Sequence, residues 1–338
     1  MRTEIMEGDL SVVEEPQLDF LYYPKTTLRT TKEENKETLN VLSLFSGCGG
    51  MDLGFEGGFS VLQQSINEIL TPHFIDKKEK NGFVKLKKTK FKTVFANDIL
   101  IDARNAWVNH FSKKGHNAED FYKDSIVDLV KMYRNGVNVF PEDVDVVTGG
   151  FPCQDFSVAG KRNGFTSHKN HKGELIENET ASAETRGQLY MWMKEVIEIT
   201  QPKIFIAENV KGLVNLGDVK SIIQKDFSSA NGNGYIVLDP QVLHSANFGV
   251  PQSRERVIFI GIKKSALKKS VLAELEKEII SEQYNPYPKP THSYTVEGEN
   301  LKHFVQLKDV FNHLDEPENT QDLSQRFYSK AKFMGKHC

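Results

Sequence analysis

Cysteine is scarce in this chain: Cys48, Cys153 and Cys338 are all that 338 residues contain. They lie far apart and show no paired metal-ligand spacing, which excludes a disulfide framework and a structural zinc site and points to a reducing compartment. Long apolar runs are also missing. None approaches the roughly 20 residues needed to cross a bilayer, so no membrane partner is expected. The amino terminus, Met1-Arg2-Thr3-Glu4-Ile5, has no apolar core segment of the secretory kind. Nor does one sign of charge dominate. The net charge is −3, which neither supports nor excludes a nucleic-acid partner, because local distribution matters more than the sum. Two basic stretches stand out, Lys77-Lys78-Lys80-Lys85-Lys87-Lys88-Lys90-Lys92 and Lys161-Arg162-Lys169-Lys172. His168 and His171 sit among lysines with no cysteine nearby and read as a solvated loop rather than a metal site.

What is present is an alternation. Residues 1–38 are polar, with Glu14-Glu15-Pro16 and Thr30-Thr31-Lys32-Glu33-Glu34, and read as an extension. From Asn40 onward, apolar runs of strand type fall at Val41–Phe45, Phe91–Ala96, Val144–Val147, Lys203–Ala207, Tyr235–Leu238 and Val257–Ile260. Stretches with helical spacing lie between them, most clearly at Ile99–Phe111 and Leu189–Ile199. In the latter, Leu189, Met193, Val196 and Ile197 share one face. Strands alternating with helices predict an α/β fold, a mostly parallel sheet with helices on both faces. Residues 39–285 form the expected main domain, with insertions at about 57–90 and 163–184. Pro286, Pro288 and Pro290 mark a linker, so 286–338 is expected to begin a second region that stops before it has built a core.

The chemistry-bearing residue types collect just after these strands, where open α/β sheets place their ligands. The first strand runs into Phe45-Ser46-Gly47-Cys48-Gly49-Gly50. Glycines there permit a tight turn and close backbone approach. The spacing is not the dinucleotide fingerprint, because Asp52 stands in place of a third glycine. An NAD-dependent oxidoreductase is thereby disfavoured. Asp98 after the second strand is suited to ribose hydroxyls and Asp124 after the next unit to an adenine amino group, so the two acids and the glycine loop read as a nucleoside pocket. The fourth strand delivers Gly149-Gly150-Phe151-Pro152-Cys153-Gln154, a thiol in a glycine–proline turn placed to act as a nucleophile. The next delivers Glu208-Asn209-Val210, and a carboxyl group beside a nucleophile can serve as general acid or base. Gln252-Ser253-Arg254-Glu255-Arg256 enters the last strand with two fork-shaped cations.

These motifs together, in this order and over residues 40 to 262, resemble the cytosine-5 DNA methyltransferases of the bacterial modification type. Arg186-Gly187-Gln188-Leu189 and Asn247-Phe248-Gly249-Val250-Pro251 fit the same resemblance. It implies a Rossmann-like methyltransferase sheet, S-adenosylmethionine as cofactor, double-stranded DNA as substrate and a bacterial cytoplasmic setting. By the same resemblance Cys153 attacks C6 of a cytosine, Glu208 holds N3 and the amino group, and Arg254 and Arg256 line the pocket wall. Phe45, Gly47, Gly49, Asp98, Ile99 and Asp124 would hold the cofactor. Ile99 stands where the family often has a large aromatic residue. Pro152, Gln154, Ser157, Lys161, Arg162 and Asn209 would contact a base that must be flipped out of the duplex, at a cost of about a few kcal/mol.

The resemblance is incomplete beyond Arg256. The family continues into a target recognition region, a short arginine-containing motif and a last helix with a Gly-Asn pair, none of which is found; only Asp322–Lys332 resembles the start of such a region. A second polypeptide that supplies the remainder, or a shortened gene product, is the expectation, with weak activity for the chain alone. A tRNA-directed member of the same family and a non-catalytic DNA-binding subunit are the alternative readings.

Overall fold

The structure, a computed structural model, describes residues 38–152, 189–295 and 300–311. Its frame is an eight-stranded sheet. In chain order the strands are β1 (Leu39–Leu44), β2 (Phe91–Asn97), β3 (Phe121–Tyr122), β4 (Val146–Gly149), β5 (Ile204–Val210), β6 (Tyr235–Val237), β7 (Gln241–His244) and β8 (Glu255–Lys263). In space they run β7-β8-β5-β4-β1-β2-β3, with β6 also paired to β8. The five strands from β5 to β3 are mutually parallel. The β8 strand is antiparallel to β5, and β7 and β6 are antiparallel to β8. The expected mostly parallel sheet is therefore present, with an antiparallel edge that apolar runs alone do not distinguish. Among the described residues no helix is long and apolar enough to cross a membrane.

Five helices matter for the site: α1 (Gly50–Glu56), α2 (Ile101–Phe111), α3 (Ile126–Arg134), α4 (Leu189–Thr200) and α5 (Val219–Ser228). Successive strand residues face opposite sides of a sheet, and β2 shows both sides covered. Phe95 belongs to a large core with Leu129 of α3, Met193, Val196 and Ile197 of α4, and Phe227 of α5. Its neighbour Ala96 packs with Trp107 and Phe111 of α2. The four residues read as one face of the Leu189 helix, Leu189, Met193, Val196 and Ile197, are all buried. Asp52, out of place in a glycine fingerprint, lies fully buried under the first loop and accepts the Trp107 indole N–H at 2.7 Å. Burial pushes its carboxyl up to about 6, with the Ser43 and Trp107 hydrogen bonds opposing the rise.

Close packing at β8 makes a test of the fold. Gly261 pairs with Phe205 across the strands, and a Cβ there would sit 2.0 Å from the buried Phe205 ring. Gly261→Ala is expected to destabilise the protein by about 1–3 kcal/mol through overpacking, read from the urea midpoint; an unchanged midpoint would contradict the packing described.

The expected insertion at 57–90 carries its own three-stranded antiparallel sheet, in which Phe83–Leu86 lies between Ser60–Leu62 and Ile75–Lys78. The second expected insertion, 163–184, lies outside the described residues, as do the amino-terminal extension and the Asp322–Lys332 segment. The proline-crowded stretch expected to be a linker is anchored over its described part. Tyr287 is buried and donates its hydroxyl to Ile258 O at 2.9 Å. His292 is buried and hydrogen-bonds Gln64 O at 3.0 Å. The Asn67 amide donates to Thr291 O at 2.9 Å and Asn300 O at 2.6 Å. These ties are mostly polar and to the backbone, so they leave no periodic apolar signal in the sequence.

Candidate active site

Strand β1 lies between β2 and β4, so the chain leaves it in both directions along the sheet. That is a switch point, where a crevice opens at the carboxyl ends of the strands. Gly47 follows β1, Asp98 follows β2, Asp124 follows β3, and Gly150-Phe151-Pro152 follow β4. Glu208 and Asn209 lie near the end of β5. Because β8 is antiparallel to β5, its start reaches the same edge, with Arg256 opposite Val210.

The loop after β1 is built by backbone conformations that few side chains accept. Phe45 has φ 52°, an uncommon left-handed value for a bulky residue. Gly47 and Gly49 have φ 54° and 87°. Phe45 remains half-buried against the core. The Gly47 N–H donates to Asp98 Oδ2 at 3.0 Å, and Leu100 N–H donates to Asp98 Oδ1 at 3.0 Å. Asp98 thus ties the glycine loop to the start of α2. Beneath it, the buried Asn97 amide donates to Tyr122 O and to Asp124 O, at 2.9 and 2.8 Å, fixing the turn that carries Asp124. Ile99, Leu100 and Ile101 are exposed beside Asp98. Among the described residues, no atom beyond its own chain neighbours lies within 4 Å of where a Gly47 Cβ would be. An acid, open space over a glycine and exposed apolar side chains at one edge fit a polar–apolar ligand such as a nucleoside.

The second half of the site centres on Glu208. Arg256 pairs with Val210, two residues along from Glu208, so the two charged side chains are diagonal neighbours on one face. Arg256 Nε lies 2.6 Å from Glu208 Oε1, and Arg254 Nη2 lies 3.6 Å from the same oxygen. The Ser245 hydroxyl supports the arginine turn, accepting the Arg254 N–H at 3.1 Å and donating to Gln252 O at 2.6 Å. On the other side, Glu208 Oε2 would lie 3.0 Å from a Cβ at Gly150. The carboxylate is therefore pressed against the backbone of the turn that leads to Pro152 and Cys153.

Asn209 is buried, its amide donates to Phe151 O at 3.2 Å and its own carbonyl accepts Val210 N–H at 2.8 Å. One N–H and the carbonyl oxygen of its side chain are held by backbone, so it braces the Phe151-Pro152 turn. Pro152 is half-buried beside it. Cys153, Gln154, Ser157, Lys161 and Arg162 lie outside the described residues, as does Arg186-Gly187-Gln188. The structure thus gathers Gly47, Asp98, Asp124, Gly150, Pro152, Glu208, Arg254 and Arg256 at one sheet edge. The closeness of Gly150 to Glu208 escapes sequence reading. The glycine doublet signals a sharp turn, but nothing in the sequence says which side chain fills the space.

The sequence profile of the C-5 cytosine-specific DNA methylase family matches residues 80–338. The chain is 34% identical over 314 residues to the Type II methyltransferase M.BsuRI of Bacillus subtilis, covering 91% of this chain and 55% of that protein. It is 33% identical over 281 residues to the Type II methyltransferase M.BspRI of Lysinibacillus sphaericus, covering 82% and 53%. The chain spans about half the length of these relatives. A solved structure of Spodoptera frugiperda DNMT2 overlays with a TM-score of 0.42 at 17% identity, covering 78% of this chain and 60% of that one.

Proposed function

Because the chain belongs to the C-5 cytosine-specific DNA methylase family, we propose that it transfers a methyl group from S-adenosylmethionine to C5 of a cytosine flipped out of duplex DNA. The observation that carries this reading is that Glu208 Oε2 lies 3.0 Å from where a Gly150 Cβ would be, which brings an arginine-braced carboxylate to the backbone three residues before Cys153 in the sequence. The names of the two Type II relatives support a role in marking DNA against a cognate restriction enzyme.

The residues divide the work. The Cys153 thiolate adds to C6 of the ring, and the electron pair displaced from the C5–C6 bond moves towards C5 and N3. Glu208 donates a proton at N3 and accepts a hydrogen bond from the exocyclic amine, so the displaced charge is not left on the ring. Arg256, already on Glu208, holds that carboxyl in line and reaches towards O2, with Arg254 on the same wall. S-adenosylmethionine, when bound, supplies an electrophilic methyl group to C5. Loss of the C5 proton to a base then expels the Cys153 sulfur, and return of the N3 proton to Glu208 restores the neutral aromatic ring. Splitting the substitution into addition and elimination is the advantage of a covalent nucleophile. Gly47, Asp98, Ile99 and Asp124 are the residues that would hold the cofactor, and the open space over Gly47 beside the Asp98 carboxylate fits its ribose and amino-acid portions.

The test is adduct trapping. A fluorine at C5 blocks the elimination, so a 5-fluorocytosine duplex incubated with the full chain and S-adenosylmethionine should give a complex that survives denaturation. Peptide mapping should place the link at Cys153. A duplex that is never trapped, with cofactor binding intact, would overturn the reading, and trapping only on RNA would favour the tRNA-directed alternative.

A further inference from the structure

The insertion between α1 and β2 carries a charge distribution that the cleft does not use. Between Ile75 and Lys92 stand eight lysines, at 77, 78, 80, 85, 87, 88, 90 and 92, against two acids, Asp76 and Glu79. Seven of the eight are exposed and Lys85 is half-buried. Folding increases the crowding. Lys77 and Lys85 are direct cross-strand partners in the small sheet, an arrangement that like-charge repulsion disfavours. Lys114, from the turn after α2, joins the group, with its Nζ donating to Gly57 O at 2.9 Å. Its own burial, aided by the nearby charges of Lys88 and Lys85 and opposed by Glu56, holds its pKa below the ordinary lysine range. Among the described residues, no ion pair engages any of the eight.

The position is as informative as the charge. Leu39 N–H donates to Lys90 O at 2.7 Å, which puts Lys90 at the start of β1. Gly57 bridges to Lys88. The site gathers at the other end of the same strand, six residues away, a span of about 20 Å at roughly 3.3 Å per residue. Lys88 and Lys90 therefore lie at the amino end of β1, away from a base held at Glu208, and the small sheet carries the other lysines outward from there.

The chemistry of the surface narrows its partner. It contains no arginine, so it offers compact point charges without fork geometry, suited to phosphates whose exact placement varies. Protein interfaces are depleted of lysine at their cores, which disfavours an acidic protein. The whole chain is net negative, so contact with a polyanion needs a localised positive surface. Duplex DNA, with one charge per about 1.7 Å of axis, is the polyanion that the cleft already requires.

We propose that this lysine surface, whose Lys88–Lys90 end lies at the opposite end of β1 from the cleft, holds the sugar–phosphate backbone of a second segment of duplex DNA, apart from the segment whose base enters the cleft. The proposal rests on DNA being the substrate and adds a sequence-independent tether. A second attachment keeps the protein at a high effective concentration on DNA between turnovers.

A duplex of A·T pairs alone offers no cytosine and isolates backbone binding. The full chain is titrated with it at several salt concentrations, as wild type, as K77Q/K85Q/K88Q and as K77R/K85R/K88R. The glutamine triple should lower the slope of log K against log salt by about 0.9 for each phosphate that is no longer neutralised and weaken low-salt binding by about tenfold or more. The arginine triple should keep both. An unchanged slope in the glutamine triple overturns the proposal, as does an equal weakening in the arginine triple, or tighter binding of duplex RNA, an acidic polypeptide or anionic vesicles than of DNA. Failure of the methyl-transfer reading looks different, because it would show as no 5-fluorocytosine adduct while lysine-dependent A·T binding persists.

Discussion

Glu208→Gln lowers turnover by about 10²–10⁴-fold, the usual range for loss of a positioned acid–base group. Glutamine has nearly the same shape, so the packing against Gly150 survives and the fold is retained. What changes is the ability to donate a proton at N3 and the charge facing Arg256 and Arg254, 2.6 and 3.6 Å away. Cofactor affinity should be unaltered, because Gly47 and Asp98 belong to the other half of the site. Single-turnover rates with saturating DNA and S-adenosylmethionine, alongside cofactor binding by calorimetry, separate the two. A variant that turns over within a few-fold of wild type would remove Glu208 from the chemistry and leave it a partner of Arg256 only.

Cys153→Ser should abolish the trapped 5-fluorocytosine complex altogether and reduce methylation at least as far as the Glu208 change. A serine hydroxyl is far less nucleophilic than a thiolate at neutral pH, and the ring cannot reach the methyl-accepting state without addition at C6. DNA binding should persist, since the groups that meet the phosphates are untouched. A covalent complex that still forms in Cys153→Ser would place the nucleophile elsewhere. The free thiol to probe then is Cys48, which is exposed in the glycine loop after β1.

Much of the fold is legible in the sequence because the parallel strands are buried on both faces and read as continuous apolar runs. Val41–Phe45, Phe91–Ala96 and Lys203–Ala207 fall within a residue or three of β1, β2 and β5. The two-residue β3 and the exposed start of β7 carry no such run, and they escape a reading by pattern. The helix α3 escapes it too, although its apolar residues Ile126, Val127, Leu129 and Val130 are buried, because it is short and follows a polar stretch. In the site, residue types after strands point to Asp98, Glu208 and Arg256, since topology alone sends strand ends to one edge. Asn209 shows a bracing contact that the motif does not announce, because a polar residue beside a reactive acid looks the same in sequence whether it faces a ligand or grips the Phe151 carbonyl. That distinction is a matter of side-chain direction, which alternation along β5 decides and the motif does not.

The closeness of Gly150 and Glu208 bears on how this site can change over generations. Every replacement at 150 adds a Cβ, and a Cβ there sits at 3.0 Å from one oxygen of a carboxylate that Arg256 already holds by the other. The carboxylate must then shift by a few tenths of an ångström against its guanidinium. A change at position 150 is therefore felt at 208 and, through the shared carboxylate, at 256, so the three positions are mechanically linked.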